Sequence, residues 1–164
     1  MPKIFIVDDH AFIRRGVQGI LKASPEWELC GEADNGTDAV RQVRELKPDA
    51  VVMDVSMPGL NGLEATQAIR KDDKKVKIVL LTLHESSELV RNAFQAGVNG
   101  YLLKTDAEQE LVLALQVVLD HGKYVSPRID ATVAKAVGAS SAQINGKGPG
   151  GQSAIDGRTS SGRR

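Results

Sequence analysis

The sequence predicts an α/β fold: a doubly wound parallel sheet of five strands with helices on both faces. Three observations point there. Short apolar runs alternate five times with segments whose apolar residues recur at helical spacing. The strand candidates are short and apolar, as strands buried under crossover helices are. Chain-breaking residues also stand at the joints, with Pro48 just before one strand and Gly97 just after one helix.

Taken in order, the first strand is Lys3–Val7. A helix follows with Ile13, Val17, Ile20 and Leu21 on one stripe. The second strand is Trp27–Glu32, and the second helix carries Ala39, Val40, Val43 and Leu46 before Pro48 stops it. The third strand, Ala50–Met53, leads to a thinner helical pattern over Gly62–Lys71, with Leu63, Ala65, Ala68 and Ile69. Val76–Leu81 is the fourth strand, and Leu89, Val90, Ala93 and Phe94 stripe the helix that Gly97 closes. Gly100–Leu103 is the fifth strand, before a helix with Leu111, Ala114, Leu115, Val118 and Leu119. Residues 1–121 thus read as one domain. Residues 122–137 read as a short helix, with Ile129, Val133 and Val137 on one side, and the start of a linker. From 138 to 164 the chain is rich in Gly and Ser and too polar to bury a core. It is expected to be disordered, with Arg158, Arg163 and Arg164 at its basic end.

Composition narrows the function classes. Lys+Arg and Asp+Glu both number 21, which excludes a broadly basic surface for nucleic acid. The single cysteine, Cys30, allows no internal disulfide and fits a reducing, intracellular setting. No apolar run reaches the length of a membrane span, and acids break the first hydrophobic run too early for a signal peptide. The expectation is a cytoplasmic protein without membrane contact.

In doubly wound sheets, ligands bind beyond the carboxyl ends of the strands. That rule selects Asp8 and Asp9 after the first strand, Asp54 in "VVMDVSMPG" after the third, Thr82 after the fourth, and Lys104 in "GYLLKTD" after the fifth. Three carboxylates on one rim cannot all stay ionised without a compensating charge. Mg²⁺, a hard cation that takes oxygen ligands, would compensate them and suits phosphate chemistry. Lys104 would add a point charge for phosphoryl oxygens and Thr82 a hydroxyl donor. "GLNG" lacks the lysine and spacing of a nucleotide-binding P-loop. The phosphoryl group is therefore expected to be received by the protein, with a carboxylate as nucleophile.

The segments "VDDH", "VVMDVSMPG", "LLT" and "GYLLK", with "GEADNGTDAV" and "GLEATQAIR", resemble the receiver domain of two-component response regulators. The resemblance covers about residues 1–121 and points to the subfamily that usually carries a LuxR-type helix-turn-helix output domain. It implies a flavodoxin-like sheet in the order 2-1-3-4-5. It implies Asp54 as the phosphoacceptor, Asp9 and Asp54 as direct magnesium ligands, Asp8 acting mainly through water, and the backbone carbonyl of Ser56 as the remaining ligand. Thr82 becomes the switch hydroxyl, Lys104 the ion-pair partner of the phosphoryl group, and Tyr101 the switch aromatic whose ring turns inward as Thr82 moves. The implied partner is a sensor histidine kinase. Phosphorylation would shift the surface of the fourth helix, fifth strand and fifth helix toward a partner or a second copy, giving a homodimer. Such a protein is a switch with at most slow autodephosphorylation, not a turnover enzyme. In a full-length parent it would control transcription, touching DNA only through an output domain that is not seen in this chain.

Two positions depart from the pattern. Leu83 is bulkier than the small residue many receivers carry beside the switch hydroxyl, and is expected to narrow access to Asp54. Nothing after Val137 resembles a helix-turn-helix. His10 and His84 sit near the rim, but imidazole is not a preferred magnesium ligand; His84 could instead tune attack of water on the phosphoryl group. Two other classes compete. An aspartyl phosphohydrolase needs an Asp-x-Asp arrangement after the first strand, where "DDH" is contiguous. A flavin-binding module needs phosphate-cradling hydroxyls and glycines where "DDHAF" places acids.

Overall fold

The computed structural model describes residues 1–129, 131–136 and 138. Its strands are β1 (Lys3–Val7), β2 (Glu28–Ala33), β3 (Ala50–Asp54), β4 (Lys77–Thr82), β5 (Gly100–Leu103) and β6 (Tyr124–Val125). They form one sheet in the order β2-β1-β3-β4-β5-β6, with every neighbouring pair parallel. The helices are α1 (Ala11–Lys22), α2 (Gly36–Leu46), α3 (Gly62–Asp72), α4 (Ser87–Ala96), α5 (Ala107–Leu119) and α6 (Ala131–Ala136).

Strand side chains alternate between the two faces, and each face has its own core. Phe5, Val7, Val51 and Met53 pack with Ala39, Ala65 and Val90 beneath α2, α3 and α4. Ile4, Ile6, Val52 and Leu102 pack with Val17, Leu111 and Leu115 beneath α1 and α5. Both faces of β1 and β3 are therefore apolar, and burying each such side chain contributes about 1.5–3 kcal/mol.

The joints behave as the sequence predicts. Gly97 closes α4 in the left-handed region at φ 109°. Lys47 closes α2 at φ 49°, just ahead of Pro48. The thin third helix is secured by a reciprocal cap: the Asn61 side chain accepts from the Glu64 amide, and the Glu64 side chain accepts from the Asn61 amide.

The sequence predicts five strands, and the sheet has six. Tyr124 and Val125 pair with Gly100 and Tyr101 along the free edge of β5. The Ser126 amide donates to the Tyr101 carbonyl at 3.0 Å, and the buried Ser126 hydroxyl accepts from the Leu103 amide at 2.8 Å. A two-residue strand has no readable period, and Pro127 follows after one intervening residue, Ser126. Ile129 and Val133 are buried as the short-helix reading requires, and α6 lies against α4; Val137 falls outside the described residues. So does the tail expected to be disordered, apart from Gly138. Strands β2 and β4 start one residue later than expected, at Glu28 and Lys77, and Asp54 and Thr82 are the last residues of their strands. Among the described residues no helix is long and apolar enough to cross a membrane.

Candidate functional site

Because all strands run parallel, the ends of β1, β3, β4 and β5 open on one rim. Asp8, one residue past β1, is 2% exposed, and its amide donates to the Ala33 carbonyl at 3.2 Å. Its Oδ1 accepts from the His10 amide at 2.8 Å. Asp54, at the end of β3, is also 2% exposed, and its Oδ1 accepts from the Ser56 amide at 3.2 Å. Ser56 itself is exposed on the loop that follows. Thr82, buried at the end of β4, pairs with Leu103 across the sheet, which sets it beside the residue preceding Lys104.

Lys104 Nζ lies 3.1 Å from Asp8 Oδ2 and 3.1 Å from Asp54 Oδ1. One ammonium thus bridges two buried carboxylates. It does not neutralise the rim, because Asp9 adds a third negative charge. The buried Oδ1 of Asp9 accepts no hydrogen bond, and the buried Oδ2 of Asp8 meets the Lys104 ammonium. The exposed His10 ring is their other neighbour, with Nδ1 3.3 Å from Asp8 Oδ1 and 3.1 Å from Asp9 Oδ1. Ligand atoms of Asp8, Asp9, His10 and Asp54 all fall within 4.8 Å of one another. His10, set aside as a magnesium ligand, is therefore at the acidic cluster, though its ring is largely in solvent.

The electrostatics follow. Burial raises the Asp54 carboxyl above its ordinary range and the Asp8 charge raises it further, with Lys104 acting the other way. Burial pulls the Lys104 ammonium down, but its contacts with Asp8 and Asp54 more than offset this and its pKa is raised. The lysine is a fixed positive charge, and Asp54 is a carboxylate held at higher energy than in water.

The remaining predicted residues sit around this pair. The Thr82 hydroxyl accepts from the His84 amide at 3.0 Å. The Tyr101 ring is buried inside, 1% exposed, and its phenol donates to the His84 carbonyl at 3.0 Å. Leu83 is 70% exposed and points into solvent. Three residues that sequence reasoning passed over also shape the site. Gly62, the first residue of α3, packs so closely that a Cβ there would lie 2.4 Å from the Asp54 carbonyl oxygen. Gly36, at the start of α2, packs equally tightly on the Leu60 carbonyl, 2.3 Å from where its Cβ would stand. Arg14 of α1 donates to the Asp8 carbonyl at 2.7 Å. "GLNG" and "NGTD" signalled the glycines, as small residues beside helix caps.

Residues 4–116 match the response regulator receiver domain family. The chain belongs to that family. It is 39% identical over 129 residues to the response regulator GacA of Pseudomonas aeruginosa, covering 79% of this chain and 60% of that protein. It is 41% identical over 129 residues to the response regulator UvrY of Escherichia coli, covering 79% of this chain and 59% of that protein. The chain thus spans about 60% of the length of the curated relatives it matches. The crystal structure of a LuxR-family two-component response regulator from Aurantimonas superposes with a TM-score of 0.78 at 36% identity, covering 83% of this chain and 97% of that one. The expected flavodoxin-like receiver fold is borne out, with the added edge strand. As a receiver domain, the chain belongs to phosphorylation-dependent two-component signalling.

Proposed function

We propose that Asp54 accepts a phosphoryl group from a phosphohistidine on a sensor histidine kinase, and that Thr82, Tyr101 and Lys104 turn this event into a change of surface. The observation that carries the reading is the Lys104 bridge: a lysine between two buried carboxylates, in a pocket that keeps an excess negative charge and a buried Asp9 oxygen that accepts no hydrogen bond. An Asp54 oxygen attacks phosphorus, the P–N bond breaks, and the imidazole keeps the electron pair. Burial and Asp8 hold the attacking carboxylate at raised energy, which favours the transfer.

The donor set fits Mg²⁺, since clustered carboxylate oxygens, among them a buried Asp9 oxygen without a hydrogen-bond donor, are what a hard divalent cation takes. Asp9, Asp54 and the Ser56 carbonyl would hold it directly and Asp8 through water; bound there, it supplies charge neutralisation for the transferring group. Lys104, already at Asp54 Oδ1, is placed to pair with a phosphoryl oxygen. The Thr82 hydroxyl can turn its proton to the same group. Tyr101, tied to the His84 carbonyl, then couples the segment after Thr82 to β5.

The readout surface is α4, β5 and α5. Strand β6 lies on β5 at Tyr101 and α6 lies against α4, so the segment leaving the domain sits on that surface. A partner, a second copy on phosphorylation, or an output domain that binds DNA in a longer parent would receive the signal, in the cytoplasm. Self-dephosphorylation would be slow at most.

Intact mass after incubation with acetyl phosphate and Mg²⁺ tests the reading. One added phosphoryl group is expected, absent in Asp54→Asn and in EDTA. No addition, together with no Mg²⁺-dependent binding of beryllofluoride, would overturn it. If beryllofluoride alone bound with Mg²⁺, the pocket would be intact and only transfer from the small donor would be blocked.

A further inference from the structure

We propose that Arg14 is a positioning residue for the acidic turn, holding Asp8 and Asp9 in place through the main-chain carbonyl of Asp8 while Glu32 holds Arg14. The inference rests on the reading that these acids bind Mg²⁺. At the end of β1 the sheet ladder gives out just where two carboxylates must be aimed. The Asp8 amide keeps one last bond to the Ala33 carbonyl at 3.2 Å. Among the described residues the Asp8 carbonyl has no strand partner to take it, and a buried carbonyl needs a donor. Arg14 Nη1 supplies that donor at 2.7 Å, while its Nε donates to Glu32 Oε1 at 2.6 Å. Gln18, one turn along α1, donates to the other Glu32 oxygen at 2.8 Å.

The result is a chain of contacts from β2 through Glu32 and Arg14 to the peptide that joins Asp8 to Asp9. The Arg14 side chain is 18% exposed and Glu32 44%. A half-exposed ion pair contributes little stability, so its value lies in fixing geometry. Only a guanidinium can bond two separate acceptors in one rigid plane; a lysine at this position could serve one or the other.

The sign of the effect separates positioning from plain electrostatics. Arg14 carries positive charge beside a cation site, so Coulomb's law alone says that removing it tightens Mg²⁺ binding. Positioning says that removal weakens binding, because the turn carrying Asp8 and Asp9 loses its tether.

The test is an Mg²⁺ titration of the full chain followed by the amide NMR shifts of Asp9 and Ser56. It is run on the wild type, Arg14→Ala, Arg14→Lys, Glu32→Ala and the Arg14→Ala/Glu32→Ala double variant, with urea unfolding of each in EDTA. Loss of a group one step behind a metal ligand should weaken binding roughly tenfold. That loss is expected in Arg14→Ala and in Arg14→Lys, which keeps the charge, with a smaller loss in Glu32→Ala. The double variant should bind no worse than Arg14→Ala. A folded Arg14→Ala that binds Mg²⁺ as tightly as the wild type or tighter overturns the proposal, as does full affinity in Arg14→Lys. If Arg14→Ala fails to fold, Arg14→Lys and Glu32→Ala decide. A wild type that binds no Mg²⁺ instead overturns the metal reading underneath.

Discussion

Lys104 and Asp54 face each other at 3.1 Å, the lysine side chain 14% exposed and the aspartate 3%. The same ammonium lies 3.1 Å from Asp8. Two buried carboxylates therefore share one cation, and each depends on it. Asp8 raises the Asp54 carboxyl and Lys104 lowers it, so the pocket is held together by a charge that is also needed elsewhere once a phosphoryl group arrives.

Replacing Lys104 with methionine removes that shared charge and leaves like charges facing each other. In EDTA the Lys104→Met variant should lose about 3 kcal/mol, the low end for breaking a buried ion pair. It should also bind Mg²⁺ more tightly than the wild type, because a competing cation has gone. Urea unfolding with and without Mg²⁺ measures both; unchanged stability in EDTA would show that the bridge carries no weight.

Removing Asp54 should act the other way. Its raised pKa means that the ionised carboxylate is disfavoured in the folded state, first by burial and then by Asp8. Asparagine keeps the shape without the charge, and Lys104 retains Asp8. In EDTA at neutral pH, Asp54→Asn should be more stable than the wild type by about 1 kcal/mol, within the usual range for relieving a strained functional site. Added Mg²⁺ should stabilise the wild type and not the variant. Thermal unfolding under both conditions gives the comparison.

These effects were largely legible in the sequence, because rim position follows from strand order and like charges at strand ends demand a cation. Asp8, Asp54, Thr82 and Lys104 all lie where the parallel-sheet rule places them. What the sequence withheld was contact geometry. The bridging cation between Asp8 and Asp54 is Lys104, a partner that charge counting alone could not choose over a metal. Arg14 carries no signal in the sequence, since only the fold brings Glu32 beside it. Strand β6 was too short for any period to show, and Ser126, whose hydroxyl accepts from the Leu103 amide, lies in the stretch that reads as a short helix and linker.

The outer edge of the sheet should give the domain an alkaline weakness. Tyr124 is fully buried on β6 and donates to Glu110 Oε1 of α5 at 2.5 Å. Burial raises its phenol well above the ordinary value, and Glu110 raises it further. A group whose folded pKa exceeds its unfolded one stabilises the fold below the unfolded value, about 10 for tyrosine, and that contribution is lost as pH rises beyond it. Unfolding free energy should therefore fall steeply above about pH 10. Tyr124→Phe should cost about 1 kcal/mol at pH 8 for the lost hydrogen bond. It should then show a smaller alkaline decline, the remainder coming from Tyr101, whose phenol is likewise raised by burial. Urea unfolding from pH 8 to 11 tests the slope; equal declines in both proteins would remove Tyr124 from the account.

Gly62 ties the stability of α3 to the chemistry of Asp54. Its amide donates to the Val55 carbonyl at 2.8 Å, and a Cβ would stand 2.4 Å from the Asp54 carbonyl oxygen and 2.9 Å from the Val55 Cα. Those neighbours are backbone, with no rotamer to swing aside, so alanine must push the end of β3 or the start of α3. Gly62→Ala should cost about 2–3 kcal/mol, as overpacking in a well-filled interior does. It should also slow phosphoryl acceptance, because the displaced atoms carry the Asp54 side chain. Gly19 supplies the contrast: it lies within α1, and a Cβ there would meet nothing within 4 Å. There the same substitution should stabilise by about 0.5–1 kcal/mol through helix propensity alone and leave acceptance unchanged. Intact mass against time with acetyl phosphate, beside urea unfolding, separates the two. A Gly62→Ala protein as stable and as fast as the wild type would mean that α3 can shift away from Asp54 without cost.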